Sequence, residues 1–276
     1  ERPSYLDREI ELVVGDIRDA ATVARALEGV DSVVHLAALV GVGQSMYDIA
    51  AYTAVNDFGA AVLLEAISRK PVERLVVASS MSIYGEGLAR TADGRIVSPS
   101  NRLAAQLRDG AWELRDADGA PLEPAATPES KSPTLNSVYA LNKYVQEQLF
   151  LLTGAAYRIP TVALRLFNVY GPRQALSNPY TGVLAIFASR LLNDRAPVVF
   201  EDGLQQRDFV HVADVARAFR LALLCDGAAG HAINIGSGAQ RTIRSVADDL
   251  ASELGKPHMA PQITGRYRVG DIRHCF

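Results

Sequence analysis

A doubly wound α/β sheet is the fold this sequence predicts, and three observations predict it. Short strands that are apolar throughout recur along the first half of the chain. Amphipathic helical stretches separate them. Polar residues capable of chemistry gather where those strands end. Strands apolar on both faces need cover on both sides, and intervening helices supply it. Such units build a Rossmann-type parallel sheet that binds ligands outside the carboxyl ends of its strands.

Each element follows in order. Residues 11–16, Glu-Leu-Val-Val-Gly-Asp, read as a strand ending in a polar turn. Residues 20–28 read as a helix with Val23, Ala24 and Leu27 on one face. Residues 31–38 form a second strand, 52–68 a long helix, and 75–80 a third strand. Residues 139–153 are helical, and 161–165 are again a strand. Residues 87–133 break the rhythm with nine Gly and Pro residues and several charges. They read as a long surface excursion with one short helix around 101–107. Beyond Gly171, helices are expected over 180–193, 211–224 and 242–254, and strands over 198–200 and 232–236.

Composition bounds the function. The chain has 276 residues, 49% hydrophobic and 21% charged, with a net charge of -3. This suits one large domain or two interlocked ones and rules out a disordered chain. A weakly acidic balance lacks the broad basic field that nucleic acid requires. Two cysteines, Cys225 and Cys275, build neither a disulfide framework nor a zinc ribbon. The five histidines lack metal-ligand spacing, so no metal is expected. No apolar run reaches the ~18 residues of a spanning helix, and no leader pattern is evident. A soluble cytoplasmic protein is the expectation. Only four lysines occur among 28 basic residues, so a lysine in a chemically meaningful place carries more weight.

Lys143 is in such a place. Tyr139-Ala140-Leu141-Asn142-Lys143 puts Tyr and Lys at i and i+4, on one helix face. An ammonium beside a phenol favours the phenolate and lowers its pKa, which would make an acid/base unit. Ser79-Ser80-Met81-Ser82-Ile83-Tyr84-Gly85 follows a strand, as does the run from Leu164 through Phe167, Asn168 and Gly171 to Arg173. A fourth run, Arg207-Asp208-Phe209-Val210-His211, comes later.

In this order and spacing the four motifs resemble the extended short-chain dehydrogenase/reductase family, in its NAD-dependent nucleotide-sugar epimerase/dehydratase branch. The resemblance runs from about residue 11 to 276. The wording at 40–47 and 177–183 is similar to that branch's dTDP-L-rhamnose 4-epimerases. The resemblance implies NAD as cofactor and a nucleotide-diphosphate sugar as substrate. Ser80, Tyr139 and Lys143 match the catalytic residues. Asp16 and Ile17 match the pair meeting the adenine ring, and Leu36, Ala37 and Ala38 the loop at the pyrophosphate and ribose. Asn56 matches the asparagine supporting that loop. Tyr139, Lys143 and Phe167 match nicotinamide-side positions. Ser82, Asn168, Arg173, Phe200, Arg207, Arg268 and Asp271 match substrate-side positions, with Arg207 and Arg268 clamping the diphosphate. Arginine's planar fork suits phosphate oxygens. Core packing explains Phe167 and Phe200 equally well, and Arg268 also reads as a surface residue. His35 and His211 read as structural.

The resemblance also narrows the reaction. Dehydratases of this family place Asp-Glu after the catalytic serine or threonine, where this chain has Met81 and Ser82. A decarboxylase would carry Glu at position 82, and a 3,5-epimerase/reductase a Cys and His pair. What remains is 4-epimerisation: transient C4 oxidation to a 4-keto sugar, then hydride return to its opposite face. A dTDP-6-deoxyhexose such as dTDP-L-rhamnose is the first candidate, and a UDP-hexose or UDP-hexuronate the alternative. A net dehydrogenase and a non-catalytic binder remain open readings.

The expected organisation is an NAD-binding domain over 1–172 and 208–238, with the insertion 87–133. A smaller substrate domain would span 173–207 and 239–276. The insertion is expected either over the sugar pocket or as a surface loop without a role. A homodimer is expected through the helices at 52–68 and 139–153, whose Val55, Val62, Leu63, Val145, Leu149 and Leu152 supply apolar faces, although core packing explains these equally well. No Gly-x-x-Gly-x-x-Gly occurs, so a first β-α-β unit of roughly 40 residues is expected to precede this sequence, in a protein nearer ~310–330 residues.

Overall fold

The computed structural model describes residues 2–174, 182–268 and 270–276. Its main sheet has four parallel strands in the order Ser32–His35, Arg74–Ser80, Thr161–Leu166 and Ala232–Ile235. Val33 pairs with Leu75, Val76 with Val162, and Leu164 with Ile233. Alternate side chains of Arg74–Ser80 show why both faces are covered. Leu75 and Val77 pack with Val23, Leu63, Ile67 and Phe150 on one side. Val76 and Ala78 pack with Val162, Leu164, Val215 and Phe219 on the other. The first side is closed by helices Ala20–Ala26, Gly59–Arg69 and Val138–Tyr157, the second by Val212–Leu224. The predicted α/β architecture is therefore the observed one.

Helix starts follow local chemistry. Asp19, Ser137 and Thr242 each cap a first turn with a side-chain oxygen. The long helix expected at 52–68 is continuous from Ile49 to Arg69 but widens into a π turn at Ala54–Phe58. Such turns often mark functional positions, and this one carries the fully buried Asn56.

A second sheet was not anticipated. Its central strand, Gln206–His211, pairs antiparallel with Gln240–Thr242. It also pairs parallel with His274–Cys275 and with Asn168–Tyr170. The charged Arg207-Asp208 pair hides its alternation in the sequence. This ladder brings Asn168, Arg207 and the C-terminal segment side by side.

Two expectations need correction. Residues 11–16 form no strand, because no described strand lies beside them, and Val14 is 87% exposed. The excursion at 87–133 is not a bare loop. Ala89–Arg90, Ile96–Val97 and Glu123–Pro124 form a small antiparallel sheet over Ala89, Leu114 and Leu122. Its helix is Ala104–Arg108. Of the two readings open for Val62 and Leu63, core packing is the observed one. The helix expected over 180–193 is Val183–Leu192, and positions 177–181 lie outside the described residues.

Candidate active site

The catalytic candidates converge at the carboxyl end of the main sheet. Ser80 closes its strand and caps the short turn Met81–Tyr84, accepting from the Ser82 amide at 3.2 Å. Ser82 also donates its hydroxyl to Ser80 Oγ at 2.9 Å. Ser82 is thus a buried partner of Ser80. Tyr139 lies in the first turn of Val138–Tyr157, whose start is pinned twice. Ser137 accepts from the Ala140 amide at 3.1 Å, and the fully buried Ser45 accepts from the Tyr139 amide at 3.0 Å.

Burial raises the Tyr139 pKa above its ordinary value, and a hydrogen bond with Ser80 opposes the rise. This corrects the expected direction. The Lys143 ammonium is turned to the Gln146 amide oxygen at 2.7 Å. Lys143 is buried, which brings its own pKa down to about 8. Gln146, also fully buried, continues the chain. Its amide nitrogen donates to Asn56 O at 2.9 Å and Ala37 O at 3.4 Å, and lies 3.2 Å from His35 Nε2. His35 stacks on Phe150 at 5.0 Å, and burial holds its pKa at about 4, so it is neutral and structural as expected. His211 likewise caps a helix, through Nδ1 to the Ala213 amide at 3.2 Å.

The proposed cofactor positions divide. Asn56 grips Leu39 through both backbone groups, at 2.8 Å to N and 3.1 Å to O, fixing the loop after the edge strand. Ile17, Leu36 and Ala37 line one apolar trough of about 430 Å³ beside that strand, just before Ala38. Asp16 is exposed and ion-paired with Arg18 at 2.6 Å, which lowers its pKa to about 2. Phe167 is 6% exposed and packs with Met81, Ile83 and Tyr84, so core packing accounts for it.

The substrate candidates are gathered more tightly. Asn168, Phe200, Arg207, Arg268 and Asp271 all line a second cavity of about 430 Å³, floored by Phe187 and Val199. Arg268 stacks on Phe200 at 4.8 Å. The Asn168 Oδ1 is buried without a hydrogen-bond partner, so an acceptor is available there. Arg207 donates to the backbone oxygens of Gln206 and Arg273 at 2.8 and 3.0 Å, and to that of Ile272. Burial lowers its pKa, against the pull of Glu86, Asp271 and Glu201. Asp271 is raised by burial and opposed by Arg268, Arg207 and Arg102. Arg173 is not brought in: it is exposed, with its guanidinium over Tyr5 at 4.6 Å. Glu201, Gln146, Ser45 and Arg102 were missed by sequence reasoning. Their partners lie up to 169 positions away, and only the fold makes them neighbours.

A parallel sheet covered on both faces, with polar groups collected at its carboxyl edge, is the architecture of nucleotide-binding α/β enzymes. Residues 1–236 match the model of the NAD dependent epimerase/dehydratase family, and the chain belongs to that family. It is therefore an NAD-dependent enzyme. A dTDP-L-rhamnose 4-epimerase of Burkholderia thailandensis is 38% identical over 279 positions, covering 99% of this chain and 75% of the relative. A UDP-glucose 4-epimerase of Thermotoga maritima, solved with UDP-glucose, superposes with a TM-score of 0.80 at 27% identity, covering 98% of this chain and 76% of that one. The Thermus thermophilus UDP-glucose 4-epimerase complex with NAD gives 0.76 at 29% identity, over 98% of this chain and 76% of that one. Among the described residues no helix is long and apolar enough to cross a membrane.

The residues present fit the nicotinamide-ribose end of NAD. Lys143 gives Gln146 one of its three donors, and Tyr139 stands one turn before it. The adjoining loop is held by Asn56 and Gln146.

Proposed function

We propose that this chain is a nucleotide-sugar 4-epimerase, with a dTDP-6-deoxyhexose such as dTDP-L-rhamnose as first candidate. The observation that carries the proposal is the gathering of Asn168, Phe200, Arg207, Arg268 and Asp271 about one cavity. Two arginines, an uncommitted amide oxygen and an aromatic face suit a diphosphate joined to a planar base. The neighbouring strand end argues for epimerisation over elimination. Met81 packs into an apolar cluster and Ser82 is engaged with Ser80, so neither supplies an acid/base pair.

In this reading NAD supplies hydride acceptance and return when bound, held by Lys143, Ala37, Ala38 and the Asn56-supported loop. Tyr139 takes the C4 hydroxyl proton on its phenolic oxygen and returns it at the end of the cycle. Ser80, hydrogen-bonded to that phenol, orients the hydroxyl and favours the phenolate. Lys143 would favour it too, once turned from Gln146 toward the ribose. Arg207 and Arg268 hold the diphosphate, with Asp271 positioning the latter. The sugar is free to turn because no side chain in this set grips its ring. Residues 1–172 and 208–238 would carry the cofactor, and 173–207 and 239–276 the nucleotide. Pairing of two copies would use Phe58, Leu141 and Leu152, which are 45–66% exposed on the helices expected at the interface. A cytoplasmic location belongs to the same reading.

The test is turnover by the purified full chain with NAD. Interconversion of dTDP-L-rhamnose and its C4 epimer, followed by proton NMR, is the expected result. Activity only on a UDP-hexose or UDP-hexuronate would favour the alternative that the T. maritima relative suggests. Accumulating 340 nm absorbance would point to a net dehydrogenase, and no turnover on any of them would overturn the proposal. Light scattering of the eluted protein tests the dimer.

A further inference from the structure

We infer that the insertion at 87–133 is a clamp on the nucleotide cavity, with Arg102 as its positioning residue. The inference rests on the nucleotide-binding reading above. Arg268, Asp271 and Ile272, from the C-terminal segment, line the cavity. Three contacts from the insertion hold that segment. The Arg102 side chain is 2% exposed and donates Nη2 to Asp271 O at 2.9 Å and Nη1 to Glu201 Oε1 at 2.9 Å. Glu113 pairs with Arg273 and, at 2.9 Å, with His274 Nε2. Trp112 lies against Tyr267, with ring centroids 6.1 Å apart. The base of the insertion is sewn in as well. Gly87 donates to His274 O at 2.7 Å, Thr127 to Phe276 O at 2.8 Å, and Glu86 accepts the Arg273 and His274 amides.

Charge accounting gives the clamp its function. Glu201 and Asp271 face the cavity, and Glu86 lies behind it. Three carboxylates so placed would repel a diphosphate and draw Arg207 away from it. Arg102 lies 3.7 Å from Glu86 Oε1, bonds Glu201 directly and pulls on Asp271. Together with Arg273, whose Nη1 lies 2.9 Å from Glu201 Oε2, it offsets part of that negative charge. Arg207 and Arg268 stay available to the diphosphate. Arg102 and Asn101 also wall a smaller cavity of about 290 Å³ that shares Asp271 with the nucleotide cavity. Filling one cavity is therefore mechanically linked to the insertion that lines the other.

Two measurements on the full chain test this. Amide hydrogen exchange with and without dTDP or UDP should slow across 101–114 as well as 264–274. Calorimetry with the same diphosphates should show affinity falling about tenfold or more in Arg102→Met, with Arg102→Lys recovering most of it, because uncompensated buried charge and sub-ångström displacement are both costly. Glu113→Gln, at a side chain 40% exposed and so safer for folding, should weaken binding several-fold. KM should rise in these variants while kcat stays within about twofold. Nucleotide binding that leaves exchange in 101–114 unchanged, or affinities equal to wild type in both Arg102→Met and Glu113→Gln, would overturn the clamp alone. A wild-type chain that binds neither diphosphate would overturn the reading beneath it.

Discussion

The Lys143 ammonium and the Gln146 amide oxygen stand 2.7 Å apart, one helical turn below Tyr139. Gln146 is the hub of the site's support, because its nitrogen side reaches Ala37, Asn56 and His35. A hydrogen bond to a charged group contributes ~1.5–3 kcal/mol, and one pKa unit corresponds to ~1.4. Gln146→Leu should therefore lower the Lys143 titration by about one unit from its value of about 8. Gln146→Glu should raise it. With only four lysines in the chain, labelled-lysine NMR can resolve the signal. An unchanged Lys143 titration in Gln146→Leu would show that the contact does not set its charge.

Under the proposed mechanism, Tyr139→Phe removes the hydroxyl that exchanges a proton with the sugar while leaving the half-buried ring in place. A fall in kcat of ~10²–10⁴ is expected, with nucleotide affinity unchanged. Single-turnover kinetics would check it, and a rate near wild type would take Tyr139 out of the mechanism.

The strands were legible because Val, Leu and Ile runs buried on both faces leave no ambiguity of period. Asn168 and Arg207 were legible because they sit in short motifs, and Phe200, Arg268 and Asp271 only through the family resemblance; all five line one cavity. Residues 11–16 failed because a strand is defined by a neighbour, and no run of Leu and Val states whether one is present. The Tyr139 pKa failed because i, i+4 spacing fixes a helix face but not where a lysine's flexible end goes. The insertion was opaque for a third reason. Arg102, Glu86 and Glu113 look like solvated charges until the fold buries the first two and brings all three against residues 201, 273 and 274.

The ion pair of Glu147 and Arg165 lies against the strand that ends in Ser80. Arg165 spans both carboxylate oxygens at 3.0 and 2.7 Å, and Ser79 donates to the same group at 2.6 Å. Glu147 is fully buried, so removing its charge strands a guanidinium away from water. Glu147→Leu should cost about 3–5 kcal/mol in urea unfolding. Arg165→Met should cost as much, and the double variant distinctly less than the sum, since neither charge is then orphaned. Additive losses would mean that the two residues act separately.

His35 makes stability depend on pH in a defined window. Burial is the larger cause of its lowered pKa, with the Lys143 charge adding to it, and the folded value is about 4 against 6.5 unfolded. A depressed histidine binds fewer protons in the folded chain than in the unfolded one. Its contribution is therefore fully present above about pH 6.5 and is lost as pH falls toward 4. The full difference amounts to about 3.5 kcal/mol at most, at ~1.4 per unit. His35→Gln keeps a polar group near Gln146 but does not titrate. Its urea midpoint should sit below wild type at pH 7 and should fall less between pH 6.5 and 4.5. Parallel loss of stability in both proteins over that interval would assign the acid sensitivity to other groups.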